Sequence, residues 1–234
     1  MAVEDQRAEE LTPALARMAR DLLAQDSLQQ KSDRILVHAV ELIDGCDSAS
    51  IMVHMGSVHT LAASDDRART WERALGELGE GPCFDAAATG AESFRLPDAL
   101  SALERWPRLA AVARELGIGS MLGFVLFAKD RDLGVLNLYS SRRDAFSNRA
   151  EDLGWLLASR AAVAYSHART DAQLHAAISS HQNVGMAIGI LMERHRLTAD
   201  DAFSALVAES QRHNIKLRDV ARHLVETGVF PDVA

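Results

Sequence analysis

The residues with most chemistry to offer cluster near the C-terminus. Between Gln211 and His223 the chain carries four basic residues, Arg212, Lys216, Arg218 and Arg222, against one acid, Asp219. Asn214, Arg218 and Arg222 recur every four residues on one side of a helical pattern, and Lys216 and His223 form a neighbouring row. Cationic side chains at a helix start can engage phosphates, and a guanidinium can also hydrogen-bond base edges bidentately. A plainer description fits the same residues: Lys216 and His223 flank Asp219 as a solvated charge row worth roughly a few tenths of a kcal/mol. Phe203 falls on the predicted core face and Phe230 near the end, which leaves no aromatic platform for a single strand. Structured RNA, with phosphates and looped-out bases at fixed spacing, suits such a surface better. Gly185 and Gly189 share one helix face and cost about 1 kcal/mol each relative to Ala. Close packing against neighbouring helices or a dimer mate would justify them, as would close approach of RNA.

Other chemistries find little support. Walker, GxSxG and HExxH signatures are absent, and the histidines form no evident triad. His38, His54 and His59 are scattered and read as core or surface residues rather than haem ligands. Cys46 and Cys83 stand 37 positions apart with no CxxC pair, so both read as buried thiols. The expectation is therefore a non-catalytic protein with no metal site and no cofactor that the sequence names.

Charge sharpens this. The chain carries a formal charge of -8, with 48% apolar and 25% charged residues, ordinary for a folded domain and unlike a generic nucleic-acid binder. From Asp171 onward six basic residues face eight acidic ones, so a polyanion site must be local. The longest apolar run, Met121 to Ala128, is strand-sized, far short of the roughly eighteen residues a spanning helix needs. The charged opening MAVEDQRAEE lacks the apolar stretch of a secretory signal. These features predict a cytoplasmic protein with no membrane partner.

The elements that must position the candidate residues can be read in order. Thr12 and Pro13 predict a helix start, with Leu11, Leu15, Met18 and Leu22 as its apolar stripe. A second helix is expected from about Ser32 to Asp44, with Leu36, Val40 and Ile43 inward and Gly45 to stop it. Alternation over Ala49–Met55 and Val58–Ala63 predicts a β-hairpin. Gly79-Glu80-Gly81-Pro82 reads as a turn into a short helix, and Trp106 to Gly117 as another helix. Ser120–Ala128 and Leu133–Ser140 predict antiparallel strands. The first is apolar on both faces, Met121, Val125 and Phe127 on one and Leu122, Phe124 and Leu126 on the other. Such a strand requires helices on one face and a cap on the other, and a cap can cover a ligand pocket or a filled core. After Phe146-Ser147 the pattern is helical to about His195, with a possible break near Arg169 to Asp171, and its spacing suggests an Ala-rich dimer contact rather than a zipper. Thr198 with Asp201 starts the next helix, which should bury Ala202, Phe203 and Leu206. Asn214 is expected to cap the last, with Leu217, Val220, Ala221, Leu224 and Val225 inward and Gly228 as its stop.

Residues 79–146 resemble a GAF domain, a sensor fold of antiparallel sheet, helices and a loop-capped pocket. The resemblance is carried by Gly79-Glu80-Gly81-Pro82, Asp98, Arg105-Trp106-Pro107, Gly119-Ser120-Met121-Leu122, Gly134-Val135-Leu136-Asn137-Leu138-Tyr139 and Phe146. The Asn-Lys-Phe-Asp-Glu pattern of cyclic-nucleotide-binding members is not visible, so the resemblance implies a sensor without naming its ligand. His54, Cys83, Phe84 and Tyr139 are the candidate pocket residues it suggests. The C-terminal stretch is similar to an ANTAR domain, through Gly185-Met186-Ala187-Ile188-Gly189-Ile190-Leu191-Met192, Ala202-Phe203, Leu206, Ser210-Gln211, Asn214 and Lys216-Leu217-Arg218-Asp219-Val220-Ala221. That resemblance implies RNA binding and transcription antitermination. Many members carry Lys where this chain has Ile188, which removes one possible phosphate contact.

The combined expectation is an α+β chain. It comprises an N-terminal helix (1–30), a GAF-like sensor (31–148), a linker and dimerisation helix (149–172) and an ANTAR-like three-helix domain (173–234). Its implied RNA contacts are Arg196, Ser210, Gln211, Arg212, Asn214, Lys216, Arg218 and Arg222. The expected partners are hairpins in nascent transcripts, a second copy of the chain and an unidentified small molecule in the sensor. A helix-turn-helix DNA binder and a sensor that contacts only proteins are the alternatives.

Overall fold

The computed structural model describes residues 13, 16–55, 57–99, 105–129 and 132–231, and within them all side chains except those of 54, 55, 127–129, 132, 133, 173 and 176. The predicted Thr12 cap, with Leu11 and Leu15, lies outside the described residues. The chain divides into two compact units, Met1–Ala168 and Arg169–Ala234.

The first unit is built on a sheet of order β2-β1-β5-β4-β3, with β1 Ser48–Met55, β2 Val58–Ala63, β3 Ser93–Leu96, β4 Ser120–Lys129 and β5 Asp132–Ser140. Every neighbouring pair is antiparallel. Both faces are covered, as the two-sided apolar pattern of β4 requires. On one face Leu122, Phe124, Leu136 and Leu138 pack with Met18, Ile35, Leu36 and Leu157, brought by α1 (16–23), α2 (Leu28–Leu42) and the start of α6 (Asn148–His195). Gly154 lets α6 settle there, because a Cβ at that position would collide with the Phe124 ring. On the other face Met52, Met121, Val135 and Tyr139 pack with Trp71, Leu75, Cys83 and Leu109. These come from α3 (Asp66–Leu78), α4 (Pro82–Thr89) and α5 (Pro107–Glu115).

Two sequence expectations need correction here. Helix α2 begins at Leu28 rather than Ser32, because Ser27 and Gln30 form a reciprocal capping box that satisfies the first free N–H groups. Its inward stripe is Ile35, Leu36 and Ala39, whereas Val40 is exposed. Helix α3 has no counterpart in the patterns described above. It is started by the Asp65 side chain, which accepts from the Ala68 N–H, and stopped by Gly79 at φ 63°.

In the second unit α6 is helical through 169–171 and is followed by α7 (Ala199–His213) and α8 (Leu217–Thr227). Ala187, Leu191, Ala202, Leu206, Val220, Ala221 and Leu224 form a single apolar core between the three helices. Thr198 caps α7 as expected, accepting from the Asp201 N–H at 3.2 Å. Asn214 does not cap α8. It closes α7 in the left-handed conformation at φ 53°, and Lys216 takes the α8 N-cap position without a side-chain cap bond. An Asn tolerates that backbone better than other non-glycine residues, which explains its place at the sharp α7–α8 turn.

Candidate functional site

Two polar constellations stand out, one in each unit. In the first, α3 carries Glu72 inward beside Trp71, where the helix pattern would demand an apolar residue. Its Oε1 accepts from the Ser50 hydroxyl, from Asn137 Nδ2 at 2.8 Å and from the Tyr139 hydroxyl at 2.7 Å. Ser50, Asn137 and Tyr139 lie on β1 and β5, and all four side chains are buried. Glu72 Oε2, Asn137 Oδ1 and Trp71 Nε1 have no hydrogen-bond partner among the described residues. Burial pushes the Glu72 carboxyl above its ordinary value of 4.5, and the three hydrogen bonds offset only part of that. The Tyr139 hydroxyl is raised for the same reason, with the Glu72 charge adding to it.

Of the predicted pocket residues, Cys83 and Tyr139 are fully buried in this layer and Phe84 packs partly buried against it. The His54 side chain lies outside the described residues. Both cysteines are buried and free, and desolvation pushes the Cys46 thiol up to about 12 and the Cys83 thiol further. Sequence patterning missed Ser50, Glu72 and Asn137. The available signal was a glutamate within the apolar stripe Ala68, Trp71, Leu75 and polar residues at inward strand positions.

In the second unit Lys216, Arg218 and Arg222 are all exposed. Arg222 meets Asp219 at 2.6 Å, and Arg218 approaches the same carboxylate at 3.9 Å. Exposed pairs of this kind are worth about 0–1 kcal/mol and yield readily to a phosphate. Lys216 has no ion pair among the described residues. Because α8 lacks a side-chain cap, its free N–H groups and dipole add positive potential beside Lys216 and Arg218.

The remaining predicted contacts divide. Arg212 is held at 2.7 Å by Glu209, a buried carboxylate that also meets His213 at 2.8 Å. Ser210 donates to the Ile215 carbonyl and so ties the α7–α8 turn. Arg196 is exposed just past α6 at φ 53° and Gln211 is exposed on α7. Phe203 is not a core residue as expected. It is 43% exposed and lines a groove of about 610 Å³ with Lys216 and Arg218. Packing against α7 and α8 does not account for Gly185 and Gly189 either, since a Cβ at either would meet no atom within 4 Å. Among the described residues no cluster of His, Cys, Asp and Glu could hold a metal ion, and no helix is long and apolar enough to cross a membrane.

The sequence model of the GAF domain family matches residues 25–166, more than half of the chain. The chain belongs to the GAF domain family. An ANTAR domain matches residues 172–225 of this GAF protein, so the second constellation lies on an ANTAR module. No match was found among curated proteins. Among solved structures the GAF protein is similar to the GAF domain of a phosphoenolpyruvate-protein phosphotransferase from Coxiella burnetii, with TM-score 0.53, 20% identity and coverage of 71% of this chain and 98% of that one. The corresponding Acinetobacter domain gives TM-score 0.52, 19% identity and coverage of 69% and 95%. An N-acylhomoserine-lactone-dependent LuxR-family transcription factor from Burkholderia cenocepacia gives TM-score 0.54 at 17% identity, covering 68% and 95%. At these identities the likeness establishes the fold alone.

Proposed function

We propose that this GAF–ANTAR protein is a cytoplasmic, non-catalytic RNA-binding regulator that acts by antitermination, with the sensor unit controlling the helical output unit. The observation that carries the reading is the exposed cationic row of Lys216, Arg218 and Arg222 at the uncapped start of α8. Arg196, Gln211 and Arg212 complete the proposed contacts, while Ser210 and Asn214 fix the turn that presents the row. The RNA partner is a folded hairpin of a nascent transcript. A homodimer presents two such surfaces, and exposed Leu174, Ile178 and Met186 on α6 support self-association. The stimulus is a small molecule received between the sheet and the α3–α5 layer, where Cys83 and Phe84 on α4 face Tyr139 on β5.

Filter binding of the full chain to RNA hairpins, with duplex DNA as competitor, tests the reading. Retention of hairpins that duplex DNA does not displace supports it. Preference for duplex DNA would mark a helix-turn-helix regulator, and binding to neither at low salt would leave a sensor that contacts only proteins.

A further inference from the structure

The GAF unit carries a groove on the side of the sheet opposite Cys83 and Tyr139, where α1, α2 and α6 converge. Leu22 and Leu23 from α1, Ile35 from α2 and Val163 and Ala164 from α6 form its apolar lining. Leu23 is 84% and Val163 54% exposed, a cost unless something covers them. Lys31, Arg160 and His167 also line the groove and no Asp or Glu does. Arg160 and His167 share a face of α6 with Val163 and Ala164, seven positions and so about 10 Å apart along the axis. Among the described residues none of the three basic side chains has an ion pair, whereas Arg34 and Arg95 of the same unit each meet a carboxylate. The lining therefore matches an occupant that is apolar along its body and negative at its head.

Two other occupants fit less well. A second copy joined through this face by a two-fold axis would set the same patch against itself, bringing Lys31 and Arg160 toward their own copies with no carboxylate in the lining to offset them. A bilayer takes a protruding apolar surface rather than a concave one, and a chain of formal charge -8 is not drawn to an anionic leaflet. The groove volume of about 330 Å³ suits one small molecule. We propose that this groove binds a single-chain acyl carboxylate, its chain laid along Ile35, Val163 and Ala164 and its head paired with Arg160, with Lys31 adding charge at the rim. A guanidinium matches a carboxylate bidentately, and such charge-assisted pairs are the stronger kind of hydrogen bond. The site is separate from the α3–α5 layer and lies on α6, the helix that continues into the ANTAR unit.

The probe is decanoate, titrated calorimetrically into the full chain below its micellar concentration, with decanol and decyltrimethylammonium as neutral and cationic counterparts. Decanoate should saturate at one molecule per chain. Decanol should bind roughly 10- to 150-fold more weakly, the range of a hydrogen bond to a charged group, and decyltrimethylammonium should not bind. Arg160 is exposed, so Arg160→Gln should fold as the parent does, bring decanoate down to the level of decanol and leave decanol unchanged. Lys31→Gln should lower decanoate affinity by a smaller factor, and Ala164→Leu should exclude both ligands by filling the groove. Thermal melts confirm that each variant is folded. Absence of saturable uptake by the parent, equal affinity for decanoate and decanol, or parent-like decanoate affinity in folded Arg160→Gln overturns the site. So does decanoate binding that is lost in Phe84→Ala and kept in Ala164→Leu, which would place the chain in the α3–α5 layer. Flotation of the parent with phosphatidylglycerol vesicles, lost in Arg160→Gln, would mark a membrane-facing patch and refute it. Self-association that falls in Ala164→Leu, seen by sedimentation with no decanoate uptake by the parent, would mark an interface between copies and refute it as well.

Discussion

Glu72 in the GAF unit and the Lys216–Arg222 segment in the ANTAR unit both place ionisable groups on apolar-backed helices, yet their surroundings are opposite. Glu72 is 0% exposed and is met by three hydrogen-bond donors from the sheet. The side chains of Arg218 and Arg222 are 59% and 56% exposed, and among the described residues only Asp219 pairs with them. A group sealed in this way acts through stability and through whatever small partner reaches its free oxygen. A group in solvent contributes little to stability and remains available to a macromolecule. The difference separates a sealed polar layer from an open charged surface by physics alone, and it predicts that the two respond differently to the same kind of mutation.

The largest effect should come from Glu72→Ala, which opens a cavity and strands the Ser50, Asn137 and Tyr139 groups. Urea unfolding should register a loss on the order of 3 kcal/mol or more, and a loss under about 0.5 kcal/mol would erase the contrast. A smaller effect is expected from pH. Because the folded Glu72 pKa is raised, its stabilising proton is fully counted below its ordinary value of 4.5 and is lost as pH rises toward the folded value. Glu72→Gln should flatten that decline while keeping the side-chain volume. Asp47 behaves in reverse. Burial would raise it, but the Ser141 hydroxyl and N–H outweigh burial and hold it below its ordinary 3.8, so its contribution disappears only as pH falls below that window. Smaller again is Gly189→Ala, which should stabilise the ANTAR unit by up to about 1 kcal/mol, readable in thermal melts. Least of all, Arg218→Ala with Arg222→Ala should leave stability within about 0.5 kcal/mol of the parent.

How much of this was legible in the sequence depended on whether a feature is local. The β1–β2 hairpin follows from alternation and the β4–β5 pair from two strand-length apolar runs, and the two-sided apolar pattern of β4 required the cover that α1, α2, α3, α4, α5 and α6 provide. The Thr198 cap and the Gly228 stop are likewise local chemistry. Helix α3 was missed because its stripe is interrupted by Glu72, and the reason that glutamate is tolerated lies on β1 and β5, far away in sequence. Asn214 was misread because a polar residue between two helices can cap either, and only the backbone angle at the turn decides. Phe203 was placed in the core because Ala202 and Leu206 are, although a helix rotates one residue on by enough to bring a side chain to the surface. The cationic row itself was legible from spacing, while the groove beside it required the packing of three helices.

The most direct measurement is the salt dependence of hairpin binding by the parent chain and by a Lys216→Ala, Arg218→Ala, Arg222→Ala variant whose unfolding curve matches the parent. Loss of three phosphate contacts should make the slope of log affinity against log salt shallower by about 2. An unchanged slope and affinity in the folded variant would contradict the assignment of the α8 surface to RNA.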